Sequence, residues 1–385
     1  MYFKFRVREF MKLFKSLLVA PATLGLLAPM SVTANELNIT DVSGYSSSEE
    51  IQNISEFLPA ELAVTNSRVD GLEARINDFE AGSFSSTTSA RFSVDMAIGA
   101  VDGNANTEAV VAAYGYQIDL STSFTGEDAL SVSLDAGAGA AQLGELDLNG
   151  NGDGLIVDGI TYSFPVTDKL TVLVGDSTDG SALYSTACVY GGFTNTLDDC
   201  GNFSSAFTSA TDGASLSASY DIGGGFTGAF GYSGEGTGNG LMTNEATDMV
   251  GGQLSYAADS FGASITYANL DTATAWGLNG YYTFDSTLPS ISVGYEFTDN
   301  DLAVDDTQYF VGLQWDELGA GTFGVAAGTR GPQADGATEE MAYEMFYSYP
   351  VNDSMTITPA LFILETSAAG ADDLTGVVVK TSFSF

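Results

Sequence analysis

Two short patterns in this chain of 385 residues have the residue types and spacing to do chemistry. The first is Asp147-Leu148-Asn149-Gly150-Asn151-Gly152-Asp153, followed by Asp158. It matches an EF-hand loop with Asp in the last place, so Asp147, Asn149, Asn151, Asp158 and the carbonyl of Asp153 could offer oxygen ligands to Ca²⁺. The flanking helices of an EF-hand are missing, and Asn and Gly are ordinary turn residues, so a plain acidic turn is the competing reading. The second pattern is the only pair of cysteines, Cys188 and Cys200. In an exported chain two cysteines so close in sequence most simply form a disulfide. Closing so short a loop stabilises it by roughly 3 kcal/mol in the chain-entropy picture.

The remaining candidates argue against an enzyme. Acidic pairs such as Glu49-Glu50, Asp305-Asp306 and Glu339-Glu340 offer the carboxylates of an acid/base dyad. They lie in polar stretches that read as solvated loops or as the segment before the first strand. There is no His, which removes the Ser-His and Asp-His constellations of hydrolytic sites. The Gly-rich residues 234–240 lack the strand-to-helix setting of a phosphate cradle. With 50 acidic residues against 11 basic ones, a net charge of −39, binding to nucleic acid is disfavoured by charge alone.

The elements that must position these residues repeat with a period of two. From Phe84 to Phe385 the chain alternates apolar and polar residues in sixteen short segments. They are 92–98, 114–120, 130–134, 160–164, 170–174, 216–220, 226–232, 250–256, 261–267, 276–284, 291–297, 309–315, 323–327, 341–349, 355–363 and 374–385. After the N-terminus no apolar run reaches the roughly 18–20 residues of a spanning helix. The 45 Gly and only 8 Pro suit many turns between strands rich in Tyr, Phe, Val and Thr. Connections after the even segments are tight turns, such as 165–168 and 351–354. Those after segments 1, 3, 5, 7, 11 and 13 are longer and acidic, and those after 9 and 15 modestly so. Trp276 and Phe297 fall near the long-loop ends of their segments, and Trp315, Tyr347 and Tyr349 near the short-turn ends. The expected fold is all-β: a transmembrane antiparallel β-barrel of about 16 strands, spanning 84–385, with tight periplasmic turns and long extracellular loops.

Three segments precede it. Residues 1–34 read as a signal peptide: Lys12 and Lys15 lead an apolar core over 17–27, and Val32-Thr33-Ala34 offers a small-residue cleavage site, with Met1 or Met11 as the start. Residues 35–61 form a short periplasmic stub. Over 62–81, Leu62, Thr65, Val69, Leu72, Ile76 and Phe79 have the 3-4 spacing of a coiled-coil seam. That helix either zips chains together below a barrel oligomer or, as a single amphipathic helix, plugs or packs under the barrel.

The runs LFKSLLVAPATLGLLAP (13–29), RVDGLEARINDFE (68–80), FSSTT (84–88), TSFTGEDAL (122–130), YSFPVTDKLTVLVG (162–175) and CVYGGFTNTLDDC (188–200) resemble the cyanobacterial outer-membrane porins, some labelled iron-uptake or carbohydrate-selective. The resemblance covers nearly the whole mature chain. It implies a homotrimeric barrel in outer-membrane lipid that passes small solutes and ions. The family usually carries a surface-layer-homology domain between signal peptide and coil; residues 35–67 are too short for one, so wall anchoring is not implied here. The loop holding Cys188 and Cys200 resembles the one that general porins fold inward. Terminal Phe385 resembles the signal read by the barrel-assembly machinery.

Strand parity turns Asp95, Asp119, Asp135, Glu296 and Glu344 towards the lumen, with Arg91 and Lys380 as sparse counter-charges. Asp198 and Asp199 of the third long loop join them as constriction candidates. Removing residues 1–34 takes Lys4, Arg6, Arg8, Lys12 and Lys15 but only one acid, Glu9. A passage lined by one sign of charge concentrates counter-ions, so the expected channel prefers cations. The alternatives are a structural barrel or tether with little channel activity, and a carbohydrate-selective porin.

Overall fold

A computed structural model describes residues 88–103, 108–185, 187–202, 213–235, 240–243, 246–285 and 287–385. The chain divides into two units, Met1–Leu72 and Glu73–Phe385, and the described residues all belong to the second. The expected signal peptide, stub and coil lie outside the described residues.

Period-two alternation becomes strands because one face of each can meet an apolar medium while the other lines the interior. They are β1 (Thr88–Asp102), β2 (Val111–Thr122), β3 (Ala129–Ala138), β4 (Ile156–Thr167), β5 (Leu170–Asp176), β6 (Ala214–Gly223), β7 (Phe226–Gly234), β8 (Asp248–Ala257) and β9 (Phe261–Asn269). There follow β10 (Ala273–Tyr282), β11 (Ser290–Asn300), β12 (Asp306–Leu318), β13 (Gly321–Thr329), β14 (Gln333–Ala334), β15 (Met341–Asn352), β16 (Met355–Leu364) and β17 (Leu374–Ser384). Each long strand pairs antiparallel with its neighbours in sequence, and β17 returns to β1 through Val94↔Phe383 and Ile98↔Val379. The two-residue β14 pairs with β12 in the connection before β15. The other sixteen strands close the barrel, and closure leaves no free sheet edge. Past β17, Phe385 seals the seam: Phe92 N–H donates to its carbonyl at 2.9 Å, its own N–H donates to Phe92 O at 3.0 Å, and the two rings stack.

The faces are inverted relative to a soluble protein. Ile265, Leu278, Val293 and Val311 on four successive strands are 42–51% exposed outward. On the same four strands Thr266, Asn279, Ser292 and Gln308, of opposite parity, are buried inward. Every expected segment overlaps one of these strands; most strands are longer, while 276–284 and 374–385 run past the ends of β10 and β17. The expected long connection after β11 shrinks to 301–305, because Thr298↔Asp306 and Phe297↔Thr307 extend the ladder. The expected turn at 165–168 begins later, since Pro165 still pairs with Thr171 before a bulge.

Candidate constriction of the lumen

The third long loop, described over 177–185 and 187–202, runs inside the barrel because inward side chains supply acceptors for its backbone. Ser217 Oγ of β6 accepts from Leu183 N–H at 3.2 Å, and Gln253 Oε1 of β8 from Ser185 N–H at 2.7 Å. Ser292 Oγ of β11 accepts from both Val189 and Tyr190 N–H at 3.1 Å, and Gln314 Oε1 of β12 from Gly191 N–H at 2.9 Å. Asn202 and Asn279 of β10 exchange side-chain amide bonds at 2.7 and 3.2 Å. A loop leaving the solvent must find such partners, or each buried amide is left unsatisfied.

The firmest anchor is Glu344 of β15. Its Oε1 accepts from Tyr190 Oη at 2.7 Å and Phe193 N–H at 2.9 Å. Its Oε2 accepts from Thr194 N–H at 2.8 Å and Thr194 Oγ1 at 2.6 Å. Burial beside this carboxylate raises the Tyr190 phenol well above its ordinary value, so it stays a donor. Around this knot Tyr190, Phe193 and Leu197 are buried against Phe310, Phe346 and Phe362, inward-facing aromatics of β12, β15 and β16. Gly294 leaves space for the loop to lie on the wall: a Cβ there would stand 1.9 Å from Cys200 O. Cys188 and Cys200 are joined as a disulfide, with Cα atoms 6.1 Å apart. Beside it the backbone is left-handed at Asp199 (φ 47°), Cys200 (φ 56°) and Gly201 (φ 68°), so the bridge closes a tight, non-helical corner.

The charged candidates divide into free and covered groups. Asp198 is exposed and Asp199 half-buried on the loop. Burial first, then Asp198 and Asp179 nearby, push the Asp199 carboxyl up to about 6. Both line a cavity of about 500 Å³ with Asp147, Gln308 and Arg330. Arg330 Nη1 donates to Glu365 O at 2.9 Å and lies 3.7 Å from Glu340 Oε2. Asp95 is half-buried on β1. Asp119 accepts from Gln117 Nε2 at 2.9 Å and Ser133 Oγ at 2.7 Å, and sits across the ladder from Arg91. Arg91 Nη2 donates to Ser384 Oγ at 3.3 Å. Lys380 Nζ lies 5.4 Å from the centre of the Phe193 ring, so the third loop reaches it.

Three expected constriction residues need correction. Glu344, Glu296 and Asp135 point inward as parity requires but are covered rather than water-facing. Glu344 is wrapped by the third loop, Glu296 accepts from Gln308 Nε2 at 3.0 Å, and Asp135 accepts from Asn151 Nδ2 at 3.2 Å. Strand parity cannot see a loop folding over a strand. The Ca²⁺ motif spans the end of the second long loop and the start of β4, and two of its side chains bond to neighbouring strands. Asn151 Oδ1 accepts from Gly137 N–H at 2.9 Å, and Asp153 accepts from Tyr114 Oη. Asp147, Asn149 and Asp153 have positive φ, as turn residues do, and Asp158 stands on β4. Among the described residues no three His, Cys, Asp or Glu side chains gather to hold a metal.

The loop anchors Ser217, Gln253, Ser292 and Gln314 escape sequence reasoning because polar inward residues are the rule in a wide barrel. Phe310, Phe346 and Phe362 did carry a signal: large rings on the water-facing parity require a cover.

No family model matches the chain. An uncharacterized protein of Nostoc sp. is 39% identical over 110 residues, which span 27% of this chain and only 19% of that protein. The barrel is similar to Pseudomonas putida OprB, with a TM-score of 0.60 at 13% identity over 82% of this chain and 97% of that one. It is also similar to an engineered variant of the Rh. blastica porin, with a TM-score of 0.55 at 14% identity over 77% of this chain and all of the other. These similarities define a closed sixteen-stranded barrel of the porin type.

Proposed function

We propose that the chain is a non-enzymatic outer-membrane porin, a water-filled channel for passive diffusion of small solutes and inorganic ions that prefers cations. The observation that carries this reading is the third loop, pinned across the lumen by wall side chains while Asp198 and Asp199 border the remaining cavity. A structural tether has no need of a narrowed interior built in this way. From Thr88 onward the only basic residues are Arg91, Lys169, Arg330 and Lys380, and Arg330 has Glu340 as its partner. The net field in the passage is therefore negative, and it concentrates cations. Debye screening over about 8 Å at 0.15 M salt leaves the choice to lumen and third-loop carboxylates rather than to distant loops.

The outward apolar band supports a barrel set in lipid, and the alternation of tight turns with long loops favours periplasmic turns and extracellular loops. The resemblance in the N-terminal coil and loop motifs supports a homotrimer, which crosslinking in mild detergent reads directly. The deciding experiment is planar-bilayer recording in a KCl gradient. A cation-selective reversal potential is expected, reduced when Asp95, Asp119, Asp198 and Asp199 are neutralised together. Anion preference, or selectivity unchanged in that variant, would refute the cation reading, and a folded protein that carries no current would favour the tether.

A further inference from the structure

The second long loop, residues 139–155, also folds inward. Its 3₁₀ turn Ala141–Leu146 contacts β1 and β2. Leu143, Leu146 and Leu148 are buried in one cluster with Ala97, Ala113, Leu197 and Phe310. The wall beneath them is cut back: the inward positions there are Ala97, Ala113, Gly115 and Gly137. A Cβ at Gly115 would stand 2.9 Å from the Leu148 carbonyl, and one at Gly137 would stand 2.1 Å from the same oxygen. Asn151 ties the returning limb to Gly137 and Asp135. Three buried leucines on a floor of Ala and Gly make a built seat rather than a collapsed loop.

At its inner end this loop holds the third one. Glu145 Oε2 accepts from Thr196 Oγ1 at 2.7 Å and from Thr196 N–H at 3.3 Å. Thr196 lies between Thr194, which is bound to Glu344, and Cys200 of the disulfide. The third loop is pinned to β6, β8, β10, β11, β12 and β15, and the second covers β1–β3. Together they line most of the inner circumference.

We propose that the second loop is a constriction element in its own right, and that Glu145 is the positioning residue that clasps it to the third loop. The proposal rests on the channel reading: aperture and fluctuation are set by the two loops jointly. Losing hydrogen bonds to a charged acceptor raises the population of the unclasped state about tenfold. The test records the whole mature protein in planar bilayers, comparing wild type, Glu145→Gln, Glu145→Ala, Thr196→Val and a variant in which residues 141–150 are replaced by a short Gly-Ser turn. Heat-modifiable migration in gels verifies that each barrel is folded.

Glu145→Ala and Thr196→Val should visit a larger-conductance level about tenfold more often. Glu145→Gln, which keeps an oxygen acceptor, should lie between them and wild type, and the shortened loop should hold a larger conductance steadily. Limited proteolysis reads the clasp without current: residues 141–150 should resist cleavage in wild type and be cut in Glu145→Ala. Wild-type conductance and wild-type protection in Glu145→Ala, with unchanged conductance in the shortened-loop variant, overturn the proposal. Absence of current in wild type with the protease difference intact overturns the channel reading and leaves the clasp standing.

Discussion

Replacing Glu344 by Ala should open the channel without unfolding the barrel. The substitution removes the acceptor of four hydrogen bonds, from Tyr190 Oη, Phe193 N–H, Thr194 N–H and Thr194 Oγ1. If the loop stayed in place, those donors would be buried without partners, at about 1–3 kcal/mol each. If it let go, Tyr190, Phe193 and Leu197 would leave their seat, at about 1.5–3 kcal/mol each. The two costs are of similar size, so undocking becomes competitive in the variant while it is strongly disfavoured in wild type. The ladders from β15 to β13 and β16 use backbone atoms, so the barrel itself survives. Glu344→Gln keeps one acceptor but sets an NH₂ group against a donor, and should give a partial effect. Single-channel recording should show larger, noisier conductance in Glu344→Ala, with heat-modifiable migration in gels as the check on folding. Quiet, wild-type conductance from a folded Glu344→Ala barrel would show that the loop's position does not depend on this carboxylate.

Three shorter expectations follow from the same geometry. Because the Asp199 carboxyl is raised to about 6, lowering the pH from 7 to 5 should neutralise it and weaken the proposed cation preference; the proton-bound form suits its half-buried site, so the loop gains stability over the same fall, and Asp199→Asn should flatten this part of the selectivity profile. Alkylation of the denatured, unreduced mature protein should label no cysteine, since Cys188 and Cys200 are bonded; two labels per chain would contradict the structure. Deleting Phe385 removes two backbone hydrogen bonds and the ring stack on Phe92, and should leave the chain in the periplasm or degraded; normal insertion on membrane fractionation would show that the seam closes without it.

Strand positions were legible because each depends on one local rule, the period-two alternation of residues such as Trp276, Leu278 and Gly280. That rule also fixes which face each side chain takes, and it placed Glu344 and Glu296 inward correctly. It could not say what lies over them. The cover comes from residues 150 or more positions away in sequence, Tyr190, Phe193 and Thr194 on Glu344, and contact at that range has no periodic trace. The turn residues of 147–153 show another limit. Asp, Asn and Gly at those spacings serve a Ca²⁺ loop and a tight reversal equally well, so the pattern alone does not choose between them.

What the sequence does hold about the constriction sits in its exceptions. A lumen in contact with water should show polar residues at inward positions, yet Phe310, Phe346 and Phe362 are large rings at those positions, and Ala97, Ala113, Gly115 and Gly137 offer almost no side chain. Bare rings in water cost free energy, and a strip of missing side chains leaves a trench. Each anomaly requires a cover, and the second loop supplies one with Leu143, Leu146 and Leu148, the third with Tyr190, Phe193 and Leu197. The inward face of a barrel therefore records where its loops return, and reading it for misplaced bulk and missing bulk locates a constriction that strand alternation alone leaves out.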